Sequence, residues 1–169
     1  YVVVFLDRSD NHYPVAQVRH ILIKAVADSD GSYTDKAKEI AKNRAEEILA
    51  EFNAGDKTED SFAELAKDYS EDTGSAENGG LYDTVYKGAT VEEFDKFCFE
   101  GHKKGDTAIV YGESSSYAGY HVMYYVGEGD LYSNLLAKND LVNTTVSQWV
   151  EDQVNALTVT NGWWLRIAG

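Results

Sequence analysis

Two of the four histidines lie in apolar stretches, where an imidazole ring can donate or accept a hydrogen bond or carry a proton near neutral pH. Alternation along a strand puts His20 on the same face as Leu22, and His121 on the same face as Met123. Taken singly, a histidine on an apolar strand face is more often a hydrogen-bonded core residue than a catalytic one. Neighbouring motifs must therefore decide their role.

Metal-ligating and nucleophilic patterns are weak in this chain. The histidines and the single cysteine, Cys98, lack the spacing of a zinc site. The acidic run 28–32 has its glycine, Gly31, at the fourth position of a calcium loop, where the EF-hand pattern requires it at the sixth. Cys98 falls on the apolar face of a predicted helix, which indicates packing. We therefore expect no metal and no cofactor.

Strands are predicted where β-branched and aromatic residues cluster, at 1–6, 17–24, 107–111, 120–126 and 163–167. Both faces of the second run are largely apolar, which indicates a central strand. The third and fourth runs are separated by a turn rich in Gly and Ser, which is typical of an antiparallel hairpin. Each apolar histidine therefore lies on a predicted strand.

Helical periodicity is present in three segments between these strands. Thr34 is the predicted cap of a long amphipathic helix that ends at Gly55. Ser61 and Thr90 each begin a capping-box pattern that predicts a shorter helix. The polar segment 70–80 lies between the two shorter helices and is predicted to be a loop with at most one helical turn.

The chain carries 29 Asp and Glu against 15 Lys and Arg, so its formal net charge is -14. Hydrophobic residues make up 43% of the sequence, which is enough for a globular core, so the acidic side chains must coat the surface. Such a surface repels phosphate groups, and no stripe of basic residues reverses its sign. Nucleic acid and anionic membranes are therefore poor partners.

Several separated motifs carry a resemblance. In chain order they are Val18-Arg19-His20-Ile21-Leu22-Ile23-Lys24, Phe62-Ala63-Glu64-Leu65-Ala66, Tyr69-Ser70-Glu71-Asp72, Asn78-Gly79-Gly80-Leu81 and Gly119-Tyr120-His121-Val122. Over about residues 17–127 the chain closely resembles the parvulin family of peptidyl-prolyl cis/trans isomerases. The resemblance implies an α+β fold: a four-stranded antiparallel sheet wrapped by about three to four helices, with the active groove on one sheet face.

The resemblance also implies site residues. His20 and His121 resemble the family's paired histidines, and Asp72 its Asp/Cys position. Ser116 lies near the family's hydroxyl position, in the turn before the second histidine. The substrate-binding groove is expected to contain Leu81, Thr90, Val91, Phe94 and Met123.

Two features depart from the family pattern. Thr90 stands where the family often has Met, which weakens one pocket wall. The segment 81–88 lacks the Gly usual after Leu81 and is one residue longer than the common spacing. These departures leave two functions open, an active isomerase or a catalytically weak, parvulin-like domain that binds clients.

The resemblance bears on substrate as well. Family members that select phosphorylated Ser or Thr before Pro carry an Arg/Lys cluster after the first strand, where 24–32 holds one Lys and two Asp. We therefore expect isomerisation of non-phosphorylated X-Pro bonds in unfolded or exported polypeptide clients. The resemblance implies an extracytoplasmic location, with association to the cell envelope through sequence outside this chain.

Three regions are expected: an N-terminal strand and connector (1–16), a parvulin-like domain (17–128), and a C-terminal helix and strand extension (129–169). The extension lies outside the resemblance and has the character of part of a larger foldase unit. Its helix is expected either to dock on the domain or to mediate dimerisation.

Overall fold

The computed structural model describes residues 11–157, which contain four strands, four α-helices and one 3₁₀ turn. In chain order these are β1 (Pro14–Lys24), α1 (Asp35–Ala54), α2 (Glu59–Tyr69), the 3₁₀ turn (Ala76–Asn78), β2 (Leu81–Val85), α3 (Glu92–Phe99), β3 (Thr107–Glu113), β4 (Ala118–Leu131) and α4 (Tyr132–Ala156). The α+β fold implied by the resemblance is confirmed. The strands predicted at 1–6 and 163–167 lie outside the described residues.

The four strands form one antiparallel sheet in the order β2-β1-β4-β3. β1 and β4 are the two central strands, and they pair along almost their whole length, from Pro14 opposite Leu131 to Lys24 opposite Gly119. The predictions of a central first strand and of a β3–β4 hairpin are confirmed. β2 was not predicted from periodicity, because it is short and half exposed.

Each face of the sheet supports a separate apolar core. On one face Ile21 and Ile23 of β1 pack with Phe62 and with buried residues of α1. On the other face Val18 and Met123 pack with Phe94 and its neighbours on α3. Because side chains alternate along β1, this one strand contributes to both cores. A shift of its register by one residue would move every side chain of β1 to the opposite face.

Two of the predicted helix starts are corrected. Thr34 caps α1 as predicted, but α2 begins earlier than expected, because Thr58 and Ser61 exchange side-chain and backbone hydrogen bonds and thereby add most of a turn. The capping box predicted at Thr90 is absent. Val91 occupies the N-cap of α3, where no side chain accepts a hydrogen bond from the backbone.

The loop between α2 and β2 is fixed to the edge of β1 by backbone hydrogen bonds. Glu71 donates its N–H to the carbonyl oxygen of Leu22 at 2.8 Å, and His20 donates its N–H to that of Gly80 at 2.9 Å. On the opposite face, the guanidinium of Arg19 donates to the carbonyl oxygens of Asn78 and Gly79. The loop therefore has a defined position beside the first histidine.

The first compact unit ends at Tyr132, and the described residues after it belong to a second unit. In the second unit, α4 continues to Ala156 and confirms the predicted C-terminal helix. Its large apolar residues, among them Val142, Val146 and Trp149, are exposed. Among the helices of residues 11–157, none combines the length and the hydropathy that a membrane span requires.

A glycine at position 80 is required on two counts. Gly80 has a φ of 69°, and a Cβ there would lie 2.1 Å from the carbonyl oxygen of His20. Gly88 has a similar φ of 81° with open space around it, so it is a matched control. We expect Gly88→Ala to cost only the backbone penalty of about 1–2 kcal/mol. Gly80→Ala should cost clearly more, because the backbone of β1 must move.

Urea unfolding of both variants measures these free energies. Equal losses for Gly80→Ala and Gly88→Ala would contradict the close approach of the loop to β1.

Candidate active site

The register between β1 and β4 brings the two histidines together. His20 lies opposite Met123 and His121 lies opposite Leu22, so both imidazoles project from the same face of neighbouring central strands. Their Nδ1 atoms are 3.1 Å apart. Both rings are almost fully buried, with exposed fractions of 2% and 4%. Two strand residues that are 101 positions apart in sequence thus form one hydrogen-bonded pair.

The loop after α2 supplies the anionic end of this pair. The Oδ2 atom of Asp72 lies 3.0 Å from the Nε2 atom of His20. The same oxygen accepts hydrogen bonds from the hydroxyl of Ser75 at 2.6 Å and from that of Tyr82 at 3.0 Å. Asp72 Oδ1 accepts one from the N–H of Gly74. The carboxylate is therefore held by several donors.

A tyrosine terminates the pair at its other end. The hydroxyl of Tyr117 lies 3.0 Å from the Nε2 atom of His121. The structure does not bring Ser116, the residue expected from the resemblance, into this network. Ser116 is exposed, and its hydroxyl contacts that of Ser114 at 3.1 Å. Tyr117 is half-buried and its hydroxyl reaches the buried imidazole, whereas Ser116 stays exposed in the turn.

The hydrogen bonds and the burial determine the charges of the network. The contact with His20 is the main cause that holds the pKa of Asp72 well below its usual range, and Ser75 lowers it further. Burial lowers the pKa of His121 to about 3, and the adjacent His20 adds to this effect. Burial also raises the pKa of Tyr82 to about 12. At neutral pH the network thus contains an ionised Asp72 and a neutral His121.

A groove of about 340 Å³ opens beside the paired imidazoles. Its walls are mostly aromatic and apolar, and Phe94 packs edge-on against both rings at centroid distances of 5.4 and 5.3 Å. The groove is lined by His20, Tyr82, Ala89, Thr90, Val91, Phe94, Tyr117 and His121.

Three of the five predicted substrate-binding residues line this groove, namely Thr90, Val91 and Phe94. Leu81 does not, because it pairs with Arg19 and shares the opposite face of the sheet. Met123 is not among the lining residues either, and it packs in the core cluster that also contains Phe94.

Tyr82 occupies the wall where Leu81 was expected. It pairs with Val18, lies on the groove face and packs against His20 at a ring distance of 4.6 Å. Sequence reasoning missed both groove tyrosines, Tyr82 and Tyr117. The only sequence signal for this exchange is the extra residue noted in the segment 81–88.

Within the described residues, no cluster of three or more His, Cys, Asp or Glu side chains is arranged to hold a metal ion. Burial raises the pKa of the Cys98 thiol to about 12, so a nucleophilic thiolate is not available there. The groove offers hydrogen bonding and an apolar wall, and the carboxylate of Asp72 lies behind His20. These features suit the binding of an apolar ring next to a peptide group.

Comparison with known proteins connects this geometry to a family. A family model described as the PPIC-type PPIase domain matches residues 3–126. Foldase protein PrsA 3 of Bacillus anthracis is 29% identical over 159 residues, which cover 89% of this chain and 48% of that protein. Foldase protein PrsA of Staphylococcus aureus strain Newman is 36% identical over 139 residues, which cover 82% of this chain and 40% of that protein.

A solved structure supports the same assignment. The crystal structure of PrsA from Bacillus subtilis matches with a TM-score of 0.50 and 26% sequence identity, and the match covers 89% of this chain and 53% of that one. The chain spans less than half the length of the two curated relatives described above.

The neutral, buried His121 predicts acid-sensitive stability. An unfolded histidine takes up a proton near pH 6.5, whereas His121 in the folded chain resists it down to about pH 3. The unfolded state therefore binds more protons in this window, and the free energy of unfolding must fall as the pH is lowered through it, by about 1.4 kcal/mol per unit at most.

The loss continues down to about pH 3, and its part between about pH 6.5 and pH 5 lies above the range in which most carboxylates titrate. Urea unfolding across that range should show a shallower dependence for His121→Gln than for the unsubstituted chain. Parallel curves would contradict the burial of a neutral imidazole.

Thr90 predicts a stabilising substitution. Its Oγ1 atom is buried, and within the described part of the chain it has no hydrogen-bond partner. Thr90→Val removes this hydroxyl at constant shape, and we expect it to raise the free energy of unfolding by about 1 kcal/mol. Thr58→Val is the matched control with the opposite sign, because it removes the cap of α2 and should cost about 1 kcal/mol.

Denaturant unfolding of the two valine variants distinguishes these effects. A loss of stability in Thr90→Val would mean that the hydroxyl has a partner in solution.

Proposed function

The chain belongs to the PPIC-type peptidyl-prolyl isomerase family, and from this premise we propose that it catalyses cis–trans isomerisation of non-phosphorylated X-Pro bonds in unfolded polypeptide clients. The observation that carries the proposal is the position of the His20–His121 pair and Asp72 at one side of an open, aromatic groove. Two of the three polar groups are buried, and each has a hydrogen-bond partner within the network.

The reaction requires rotation about a C–N bond and no bond cleavage. Resonance sets a barrier of about 18–20 kcal/mol, so the uncatalysed exchange takes tens to hundreds of seconds. A catalyst accelerates it by binding the twisted amide better than either planar form, and about 1.4 kcal/mol of this preference gives a tenfold rate increase. The site must therefore hold the proline ring while the preceding carbonyl turns.

The groove walls match the first requirement. Phe94 of α3 lines the groove, and its ring centroid lies 6.0 Å from that of Tyr82. Val91 adds an aliphatic surface on the same side. A proline ring in contact with these side chains leaves water, and so does the amide next to it. A less polar environment favours the twisted amide, whose charge separation is smaller than that of the planar forms.

Asp72 acts as a fixed charge in this proposal, and not as a nucleophile. Its carboxylate faces His20, Ser75 and Tyr82 and is not among the groove-lining residues. An oxygen that already accepts three hydrogen bonds is a poor nucleophile. Its charge instead polarises His20 and orients the pair, and the network acts on the rotating carbonyl through its electrostatic field.

The absence of a phosphate preference is supported by the charges near the groove. No Lys or Arg is among the described residues that line it. At the end of β1, Lys24 is exposed and its backbone N–H donates to the carboxylate of Glu71. The loop that follows contains Asp28 and Asp30. Bidentate recognition of a phosphate needs clustered guanidinium or ammonium groups, which this loop lacks.

The second candidate function is client binding without useful catalysis. The specific observation in its favour is Thr90, which presents a small, partly polar side chain at a wall that Met often fills in the family. The open groove and the intact histidine pair favour catalysis over this candidate. In either case we propose an extracytoplasmic location, as the resemblance implies, and clients that are unfolded polypeptides.

NMR exchange spectroscopy on a panel of unphosphorylated X-Pro peptides tests the proposal. The chain should accelerate exchange, and Asp72→Asn, which keeps the shape but removes the charge, should lower kcat/KM by at least about tenfold. Asp68→Asn is the matched control, because Asp68 is an exposed carboxylate at the end of α2 and outside the network. All variants are compared at equal folded fraction.

Peptide binding without acceleration by the unsubstituted chain would favour the client-binding candidate. Equal activity of Asp72→Asn and Asp68→Asn would contradict the role given to the Asp72 charge.

A further inference from the structure

We propose that Tyr117 is a positioning residue for the isomerase reaction, which acts by donating its hydroxyl hydrogen to Nε2 of His121, and that Gly112 provides the space for this contact. The inference rests on the proposed function. It assigns to a tyrosine the hydroxyl role that the resemblance placed at Ser116. Three independent observations support it: the direction of the hydrogen bonds, the steric environment of Gly112, and the position of Ser116.

The direction of the hydrogen bonds follows from Asp72 when both imidazoles are neutral. A carboxylate only accepts, so His20 must carry its proton on Nε2, which lies 3.0 Å from Asp72. The Nδ1 atom of His20 then has a lone pair and accepts from Nδ1–H of His121 at 3.1 Å. The proton of His121 is thereby assigned to Nδ1, and its Nε2 atom is left with a lone pair.

This last lone pair needs a donor, because the ring of His121 is almost fully buried. The hydroxyl of Tyr117 lies 3.0 Å away and is the only side-chain group within hydrogen-bond distance of this nitrogen among residues 11–157. Tyr117 therefore donates, and every hydrogen bond of the chain from Tyr117 to Asp72 points the same way. Such aligned bonds polarise one another, so the hydroxyl strengthens the His121-to-His20 bond as well as its own.

The space around Gly112 also supports this contact. This glycine lies on β3 opposite Gly119, and a Cβ atom at this position would stand 2.7 Å from Nε2 of His121 and 3.1 Å from the hydroxyl oxygen of Tyr117. No side chain fits between β3 and this hydrogen bond. Its φ is not in the left-handed region, so space and not backbone conformation requires glycine here.

The position of Ser116 excludes it from this contact. Its hydroxyl contacts Ser114, its side chain is exposed, and it does not line the groove. Tyr117, one residue later, lines the groove with its ring and directs its hydroxyl to the buried nitrogen. The hydroxyl hydrogen of Tyr117 is donated to His121, so its oxygen keeps a lone pair at the groove wall.

The test uses Tyr117→Phe in the full 169-residue chain. The matched control is Tyr111→Phe, which removes a hydroxyl that contacts Glu113 beside α1, on the other face of the sheet. Measurements are made near pH 8, well above the lowered pKa of His121. In Tyr117→Phe we expect kcat to fall about tenfold with little change in KM, because the groove walls remain. Tyr111→Phe should leave both constants unchanged.

A spectroscopic readout separates positioning from a general structural role. The imidazole ¹⁵N signals of His121, assigned by their loss in His121→Gln, should show a protonated Nδ1 and an unprotonated, hydrogen-bonded Nε2. In Tyr117→Phe the Nε2 signal should move to that of a free lone pair, and in Tyr111→Phe it should not move. Gly112→Ala should reproduce the shift with the tyrosine still present.

The outcomes are distinct. An active chain in which Tyr117→Phe changes neither kcat nor the Nε2 signal contradicts the assignment, and so does a larger loss of kcat in Ser116→Ala than in Tyr117→Phe. A chain that does not accelerate exchange at all contradicts the proposed function, and the Nε2 signal then decides separately whether Tyr117 donates to His121.

Discussion

The site depends on a single constraint, the burial of two imidazole rings in contact with each other on the central strands. A buried polar nitrogen without a partner costs free energy, so four ring nitrogens must all find hydrogen-bond partners within the fold. The two Nδ1 atoms form a hydrogen bond with each other at 3.1 Å. The other two require groups from outside the strand pair, Asp72 at one end and Tyr117 at the other. The loop after α2 and the turn before β4 are thus both bound to the site.

The same constraint explains the close approach of backbone around the histidines. Gly80 admits the loop to within hydrogen-bond distance of His20, and Gly112 leaves room for the contact between Tyr117 and His121. Packing on the far face of the sheet holds β1 in register, since Ile21 and Ile23 are anchored by α1 and α2. The rigid core and the polar network therefore support each other: the core sets the register, and the register places the imidazoles.

Much of the architecture could be predicted from sequence because its signals are local. Alternation placed each histidine on the correct strand, and helical periodicity located α1, α2, α3 and α4. The predicted helix starts were less accurate, because several neighbouring hydroxyls could accept the hydrogen bond from the first turn of the helix. Thr58 and not Ser61 caps α2, and Thr90 caps nothing. The resemblance to the parvulin family identified the sheet, including β2, which is too short to carry a periodic signal.

By itself the sequence determined the fold class, the faces on which His20 and His121 lie, and the presence of an acidic residue in the loop that reaches them. Only the tertiary structure decided which neighbours complete the site. Tyr82 replaces Leu81 because the pairing of β2 with β1 turns residue 82 toward the groove and residue 81 away from it. The hydroxyl beside Nε2 of His121 belongs to Tyr117, whereas the hydroxyl of Ser116 contacts Ser114 in the exposed turn. The pairing of β2 with β1 joins strands that are more than 60 residues apart in the chain, so no local pattern encodes it. The contact of Tyr117 is local in sequence, but it depends on the burial of His121, which only the packed sheet decides.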